Sequence, residues 1–316
     1  MLIFRALQSP DHQPVALTIG NFDGVHLGHR ALLSRLLDAA KLRGIPSAVV
    51  IFEPHPREFF TPDQAPARLT SLREKLELLA ELGVDRVHIC RFNKKFAQMS
   101  ADCFIDALHK KLAVKYVLIG DDFRFGSGRS GDFALMEKIA GQQGFTVEAM
   151  HSVLFDGLRV SSTAVRSALA SGHMRAAARY LGRPYSISGR VVDGDKLGRE
   201  IGFPTANVQM KHNRPPLSGI FVVRVTRSQK GGDHISPLHG AASLGIRPTV
   251  HVNGRAVLEV HLLDFAQEIY GEHLCVEFLH KLRDEEKYSD LKSLTQQIAL
   301  DVANTRKWFN ENGLLK

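Results

Sequence analysis

The apolar pattern changes character once along this chain, at residues 181–185 (LGRPY), where Gly182 and Pro184 punctuate the backbone. Before that point, short apolar runs at 15–20, 47–52, 87–91, 115–119 and 146–150 alternate with stretches of helical spacing. Those stretches are 31–42, 71–82, 100–112, 133–142, 163–170 and 173–181. Near-continuous apolar strands separated by helices require a parallel sheet covered on both faces. After that point, short runs at 185–192, 219–226, 240–244, 256–263 and 274–282 follow one another without helices, and Gly, Pro, Asn and Asp fill the gaps. This pattern predicts an antiparallel β-barrel. The tail, 291–309, is apolar at Leu291, Leu294, Ile298, Val302 and Phe309, and reads as one amphipathic C-terminal helix packed on the barrel and anchored by Trp308. A chain of 316 residues has the length of two domains, expected here at 1–184 and 185–316.

Lysine and arginine exceed aspartate and glutamate by 41 to 33, a net charge of +8. The basic residues are scattered, without a Lys/Arg block or an aromatic-basic stripe. A dedicated nucleic-acid surface is therefore not expected, and anionic small substrates account for the excess. Cys90, Cys103 and Cys275 are far apart and form no CxxC, as in a reduced, cytoplasmic protein. Residues 1–6 are too short for a signal peptide and no run approaches a membrane span, so no membrane partner is expected.

Four motifs in the first half follow predicted strands or open a helix, and ligands of parallel sheets sit at the carboxyl ends of strands. The most specific is TIGNFDGVHLGHR, 18–30. A strand breaks at 21–24 and a helix reopens near His29, which sets backbone N–H groups and a helix dipole at one point, a site for phosphate. Gly24 and Gly28 allow close backbone approach. His26 and His29, three apart, face one ligand if the segment turns helically, and each is a donor when protonated. Alone, HxxH also fits surface or cap histidines; zinc would need further ligands, and none lie nearby. FEPHP, 52–56, is either a stiff loop or brings His55 to a ligand. GDDFRFGSGRSGD, 120–132, is a pliable loop. In it Phe123 and Phe125 can wall an aromatic ligand, Arg124 and Arg129 can meet phosphate, and Asp121 or Asp122 can accept hydrogen bonds. In SSTAVR, 161–166, Ser162 or Thr163 can cap a helix, with Arg166 one turn on.

In the second half the main motif is GDKLGREIGFPTAN, 194–207. Gly194, Gly198 and Gly202 suit a flap over phosphates, and Lys196 and Arg199 supply positive charge. Thr205 and Asn207 alternate on an extended segment and so share a face, an oxygen pair suited to Mg²⁺. No Walker loop is present. Alternation in 256–263 puts Val257, Glu259 and His261 on one face.

Together these motifs resemble the HxGH nucleotidyltransferases, and most closely the bacterial bifunctional riboflavin kinase/FMN adenylyltransferase (FAD synthetase) family, over nearly the whole chain. Val160 stands where that family's ISSTxxR signature has isoleucine. Phe221, Ser243 and Tyr288 stand where tyrosine, asparagine and phenylalanine are common.

The resemblance implies a Rossmann-like HxGH nucleotidyltransferase domain with a parallel sheet, followed by an antiparallel β-barrel riboflavin-kinase domain with a C-terminal helix. It implies that riboflavin and ATP give FMN in the barrel, that FMN and ATP give FAD and pyrophosphate in the first domain, and that Mg²⁺ serves both. His26, His29 and Arg166 would stabilise charge during adenylyl transfer, and Glu259 would take the proton from the riboflavin 5′-hydroxyl. ATP would lie against Gly20, Asn21, Phe22, Gly28, Ser162 and Thr163 in one site and Gly194, Lys196, Gly198, Arg199, Gly202 and Pro204 in the other. Asp122, Phe123, Arg124 and Phe125 would hold flavin in the first site, Arg283 and Glu285 in the second, and Thr205 and Asn207 the metal. IRPT, 246–249, would shape the barrel mouth. The expected molecule is a monomer or weak homo-oligomer. Two other readings are a monofunctional riboflavin kinase with an inactive adenylyltransferase half, and a non-catalytic flavin-binding protein.

Overall fold

The structure, a computed structural model, describes residues 1–8, 12–155, 157–194, 197–212, 214–228, 236–246 and 256–314. It forms two compact units, one of Met1–Pro66 and Leu72–Ser161, the other of Ala67–Ser71 and Ser162–Lys316.

The first unit contains β1 (Leu2–Phe4), β2 (Val15–Ile19), α1 (Leu27–Arg43), β3 (Ser47–Glu53), α2 (Pro56–Phe60), α3 (Leu72–Glu81) and β4 (Arg86–Arg91). It continues with α4 (Lys94–Ala97), α5 (Ala101–Leu112), β5 (Val114–Gly120), α6 (Phe133–Gln143), β6 (Thr146–Met150) and the ribbon β7 (Leu154–Phe155) and β8 (Leu158–Arg159). Six strands make one sheet in the order β1-β4-β3-β2-β5-β6, every pair parallel. Side chains alternate between its faces. Val15, Leu17 and Ile19 of β2 join Phe104, Ile105 and Leu108 of α5 on one side. Ala16 joins Leu33 and Leu36 of α1 and Leu79 of α3 on the other. The chain runs from β2 outward to β3 and β4, then crosses back to β5 on the opposite flank of β2. The order therefore reverses at the carboxyl end of β2, where such sheets hold ligands.

The second unit contains α7 (Ser162–Ala170), α8 (Met174–Leu181), β9 (Tyr185–Val192), α9 (Leu197–Glu200), β10 (Ala206–Gln209), β11 (Gly219–Ser228), β12 (Leu238–Ile246), β13 (Ala256–Leu262), β14 (His273–Arg283) and α10 (Leu291–Glu311). Six antiparallel strands close a barrel in the order β10-β13-β12-β11-β14-β9. The two helices before the barrel were expected to close the first domain, but their apolar faces share the barrel core. Val165, Leu169, Met174, Ala177 and Leu181 pack with Tyr185, Phe221 and Phe278. The compact units thus divide at Ser161, ahead of the change in apolar pattern.

α10 starts at Asp290, whose carboxylate accepts the Ser293 N–H at 2.8 Å. Its anchor is Phe309, fully buried against Val222 and Leu263, while Trp308 packs half-buried beside it and stacks on His280. The expectation placed the larger ring at the anchor, but the face turned to the barrel falls one residue later. Phe309→Ala should cost about 3–5 kcal/mol in denaturant unfolding, and Trp308→Ala clearly less. Equal costs would contradict this assignment.

Candidate functional site

In the first unit the histidine loop leaves β2 at the reversal point. Phe22 and Val25 adopt φ of 47° and 43°, a conformation costing on the order of 1–3 kcal/mol per residue. Burial of both side chains with Leu33 and Leu36 offsets that strain. α1 begins at Leu27, earlier than its periodicity indicates, because the His26 ring caps it: Nδ1 accepts the His29 backbone N–H at 3.3 Å. An accepting Nδ1 leaves the proton of the neutral ring on Nε2. His29 stacks on His26 with centroids 3.7 Å apart and planes inclined 15°. Gly28 makes room for this pair, since a Cβ there would lie 3.2 Å from the His26 ring and 3.5 Å from the Val160 carbonyl oxygen.

Three buried polar atoms on this stretch, Thr18 Oγ1, Asn21 Oδ1 and His29 Nδ1, have no hydrogen-bond partner. They lie at the end of β2, in the loop and in the first turn of α1 respectively. Burial, then the adjacent His26 and the buried Lys75 of α3, hold the His29 pKa well below the ordinary 6.5. His29 is therefore neutral at physiological pH. The unfolded chain takes up this proton at a higher pH than the folded one, so stability is complete above about pH 6.5 and is lost as pH falls below it. Melting temperature should drop on acidification from pH 7.5 to 5.5, and less in His29→Asn. Identical slopes for the two proteins would remove His29 from this effect.

The other first-unit motifs divide between structure and surface. His55 caps α2, with Nδ1 accepting the Arg57 N–H at 3.1 Å and Glu58 closing a capping box. In the loop after β5, Phe123 is half-buried and stacks on Phe125 at 5.6 Å. Phe125 was expected to face flavin, but it is a core residue, 7% exposed and packed on Phe104. A Cβ on Gly131 would lie 2.5 Å from its ring, so that glycine lets the loop close over it. Asp122 pairs with Arg159 at 2.5 Å, and Arg124 is exposed, donating to the Phe123 carbonyl.

In the second unit Ser162 and Thr163 occupy the first turn of α7, which puts Ser161 rather than either of them at the cap position. Arg166 is half-buried, and its Nε donates to the Ala67 carbonyl at 2.6 Å.

The barrel brings together most of what its sequence promised. Inward residues of β13, Leu258 and Val260, fill the core, while Glu259 and His261 face the other way. Strand register then produces a single row across five strands. Asn207 of β10 pairs with Glu259, Glu259 with Ser243 of β12, Ser243 with Ile220 of β11, and Ile220 with Arg283 of β14. At the usual strand spacing this row is roughly 19 Å long. All five residues line one cavity of about 280 Å³, together with Gly198, Phe203, Thr205, Glu285 and the Leu294, Ile298 and Val302 face of α10.

Close approaches hold the FPTAN segment in place. Gly194 lies against the Asn207 amide, and a Cβ on Gly198 would meet the Phe203 carbonyl at 2.5 Å. His261, which alternation placed on the Glu259 face without a role, holds the Pro204 carbonyl at 2.9 Å through Nδ1. Gly202 has φ 86° and Arg199 faces Glu268 at 3.9 Å. Lys196 and residues 247–249 of the IRPT motif lie outside the described residues. Thr205 and Asn207 line the cavity with Glu259, which lies directly across from Asn207.

Arg283, expected on the flavin side, lines the cavity, and each of its three guanidinium nitrogens donates a bond to protein. Nε and Nη2 donate to the Asp301 carboxylate at 2.9 and 2.7 Å, and Nη1 donates to the Asp284 carbonyl at 2.9 Å. Ser243 donates to Glu285 at 3.2 Å, so the serine that replaces a common asparagine holds a cavity-rim carboxylate.

A parallel sheet with stacked histidines at its reversal point, on one chain with a barrel cavity bearing a carboxylate and oxygen donors, defines an enzyme of phosphoryl and nucleotidyl transfer. Residues 8–164 match the family described as FAD synthetase, and residues 181–309 match the family described as riboflavin kinase. The bifunctional riboflavin kinase/FMN adenylyltransferase of Escherichia coli K12 is 48% identical over 98% of both chains. That of Haemophilus influenzae is 45% identical over 98% of this chain and 100% of its own. A crystal structure described as a macrolide-efflux protein from Streptococcus pneumoniae superposes with a TM-score of 0.79 at 27% identity, covering 97% of this chain and 99% of that one. The chain belongs to the bifunctional riboflavin kinase/FMN adenylyltransferase family. No helix of the described residues is long and apolar enough to cross a membrane.

Proposed function

We propose that this protein makes FAD from riboflavin in two ATP-dependent steps, one in each half of the chain. The observation that carries the reading is the presence of both family regions on one chain. We assign 1–184 to adenylyl transfer, keeping the SSTAVR helix with that half by its signature, and 185–316 to phosphorylation.

In the barrel, Glu259 accepts the proton of the riboflavin 5′-hydroxyl as that oxygen bonds to the γ-phosphorus of ATP and ADP leaves. Thr205 and Asn207 would hold Mg²⁺, which neutralises phosphate charge there. The register supports this, because Glu259 and Asn207 are direct cross-strand partners. Gly194, Gly198, Gly202 and Pro204 shape the flap over the nucleotide, Arg199 and Lys196 add positive charge, and Glu285 meets the flavin side.

In the first half, an FMN phosphate oxygen bonds to the α-phosphorus of ATP and pyrophosphate leaves. The nucleophile is already an anion, so positioning and charge stabilisation suffice. His26 donates from Nε2 and His29 from its ring, with Arg166 assigned by its signature. Gly20, Asn21, Phe22 and Gly28 form the nucleotide loop, with Ser162 and Thr163. Asp122, Phe123 and Arg124 remain the flavin-side assignments.

The three cysteines are free, consistent with a reduced, cytoplasmic compartment. Incubation with riboflavin, ATP and Mg²⁺ followed by flavin separation should yield FAD. FMN alone would indicate an inactive first half, and unchanged riboflavin a flavin-binding protein.

A further inference from the structure

Arg283 and Asp301 are eighteen residues apart, and their bidentate pair closes that stretch into a ring. The ring carries the cavity residues on this side: Glu285, Glu286 and Tyr288 from the segment after β14, then Leu294 and Ile298 from α10, with Val302 just beyond. Arg283 is also the last member of the cross-strand row, at the end opposite Asn207. The pair is therefore the point where the α10 wall is fixed to the strand that ends the row.

Both oxygens of the Asp301 carboxylate are held. Asp301 is 4% exposed. Its Oδ1 accepts Arg283 Nε at 2.9 Å and Gln297 Nε2 at 3.0 Å, and its Oδ2 accepts Arg283 Nη2 at 2.7 Å. The third arm of Arg283 is held by the Asp284 carbonyl at 2.9 Å. A planar fork bonded in this way is fixed in orientation. Thr305 adds a bond to the Asp301 backbone carbonyl at 2.8 Å, one turn further along the helix.

We infer that Asp301 is a positioning residue for riboflavin: through Arg283 it sets the distance between the barrel row and the α10 wall, and thereby the width of the flavin end of the cavity. The inference rests on the kinase reading of the barrel. It assigns Arg283 an indirect part in flavin binding, since its Nε and Nη2 hold Asp301 and its Nη1 holds the Asp284 carbonyl. ATP binds at the other end of the row, so Asp301 acts on one substrate only.

The test is steady-state kinetics of riboflavin phosphorylation by Asp301→Asn, which keeps shape but removes the charge. The riboflavin KM should rise at least tenfold, with kcat and the ATP KM within about threefold of wild type, and Asp301→Glu should recover part of the loss. If Arg283 were itself the flavin ligand, freeing it in Asp301→Asn would leave riboflavin binding intact or tighter, and that result overturns the inference. A parallel fall in kcat and both affinities would also overturn it, because the effect would then be general.

Should Asp301→Asn fail to fold, the double variant Arg283→Met/Asp301→Leu replaces the pair with apolar side chains, an exchange that buried ion pairs often tolerate. Weakened quenching of riboflavin fluorescence at an unchanged melting temperature supports the inference where Asp301→Glu, which keeps Arg283, also weakens binding, and wild-type affinity in either variant ends it. Wild-type protein that makes no FMN would instead remove the kinase reading, a distinct outcome.

Discussion

His29→Ala lowers FAD formation from supplied FMN by about 10²–10³-fold, the usual effect of removing one donor from a site of developing negative charge, and leaves FMN formation from riboflavin unchanged. His29 is stacked on His26 in the first turn of α1, with its N–H on the capping imidazole and its buried Nδ1 unpaired. Burial keeps its ring neutral, so in the free protein it is a preorganised hydrogen-bond donor rather than a fixed cation. The loss should appear in kcat more than in KM, because the bond strengthens as charge grows on the α-phosphate and the departing pyrophosphate. The initial rates of FMN to FAD and of riboflavin to FMN, measured on the same preparation, separate the outcomes. Equal losses in both would point to misfolding, and no loss in either would remove His29 from the chemistry.

Glu259→Gln has the complementary effect. It should reduce riboflavin phosphorylation by about 10²–10⁴-fold, the range of a general base, while FAD formation from supplied FMN continues. Glutamine preserves the size and strand propensity of the side chain, so the row from Asn207 through Ser243 to Arg283 is undisturbed and the loss reports the missing carboxylate. Phosphorylation at the wild-type rate by this variant would refute the assignment of Glu259 as base.

The fold was largely legible because its two apolar periods are strong and change at one place. The sheet strands and long helices fall close to where the pattern puts them, and Ser100 and Gly144 cap as their residue types indicate. What was not legible has physical causes. β1 is a short edge strand whose apolar residues Leu2 and Ile3 are exposed, so it carries no burial signal. α1 starts early because a histidine, an uncommon cap, stands at its N-terminus. α7 and α8 have the periodicity of any amphipathic helix, and nothing in that period says which core they join.

At the sites, the sequence offered candidate residues but not their geometry. The five-strand row depends on register, which is fixed by turns and core packing rather than by any one strand. The Arg283–Asp301 pair joins a strand end to a helix eighteen residues later, without local spacing to reveal it. Phe125 looked like a ligand wall because it lies in a glycine-rich loop, yet Gly131 lets that loop close over it as a buried ring.

The central claim is that one chain brings flavin oxygens to two different phosphorus atoms of ATP. It is tested most directly by incubating riboflavin and the protein with ATP labelled at the γ-phosphorus and, separately, at the α-phosphorus. The account predicts FMN labelled only from the γ position and FAD labelled from both. FAD lacking the α label, or FMN carrying it, would contradict the account.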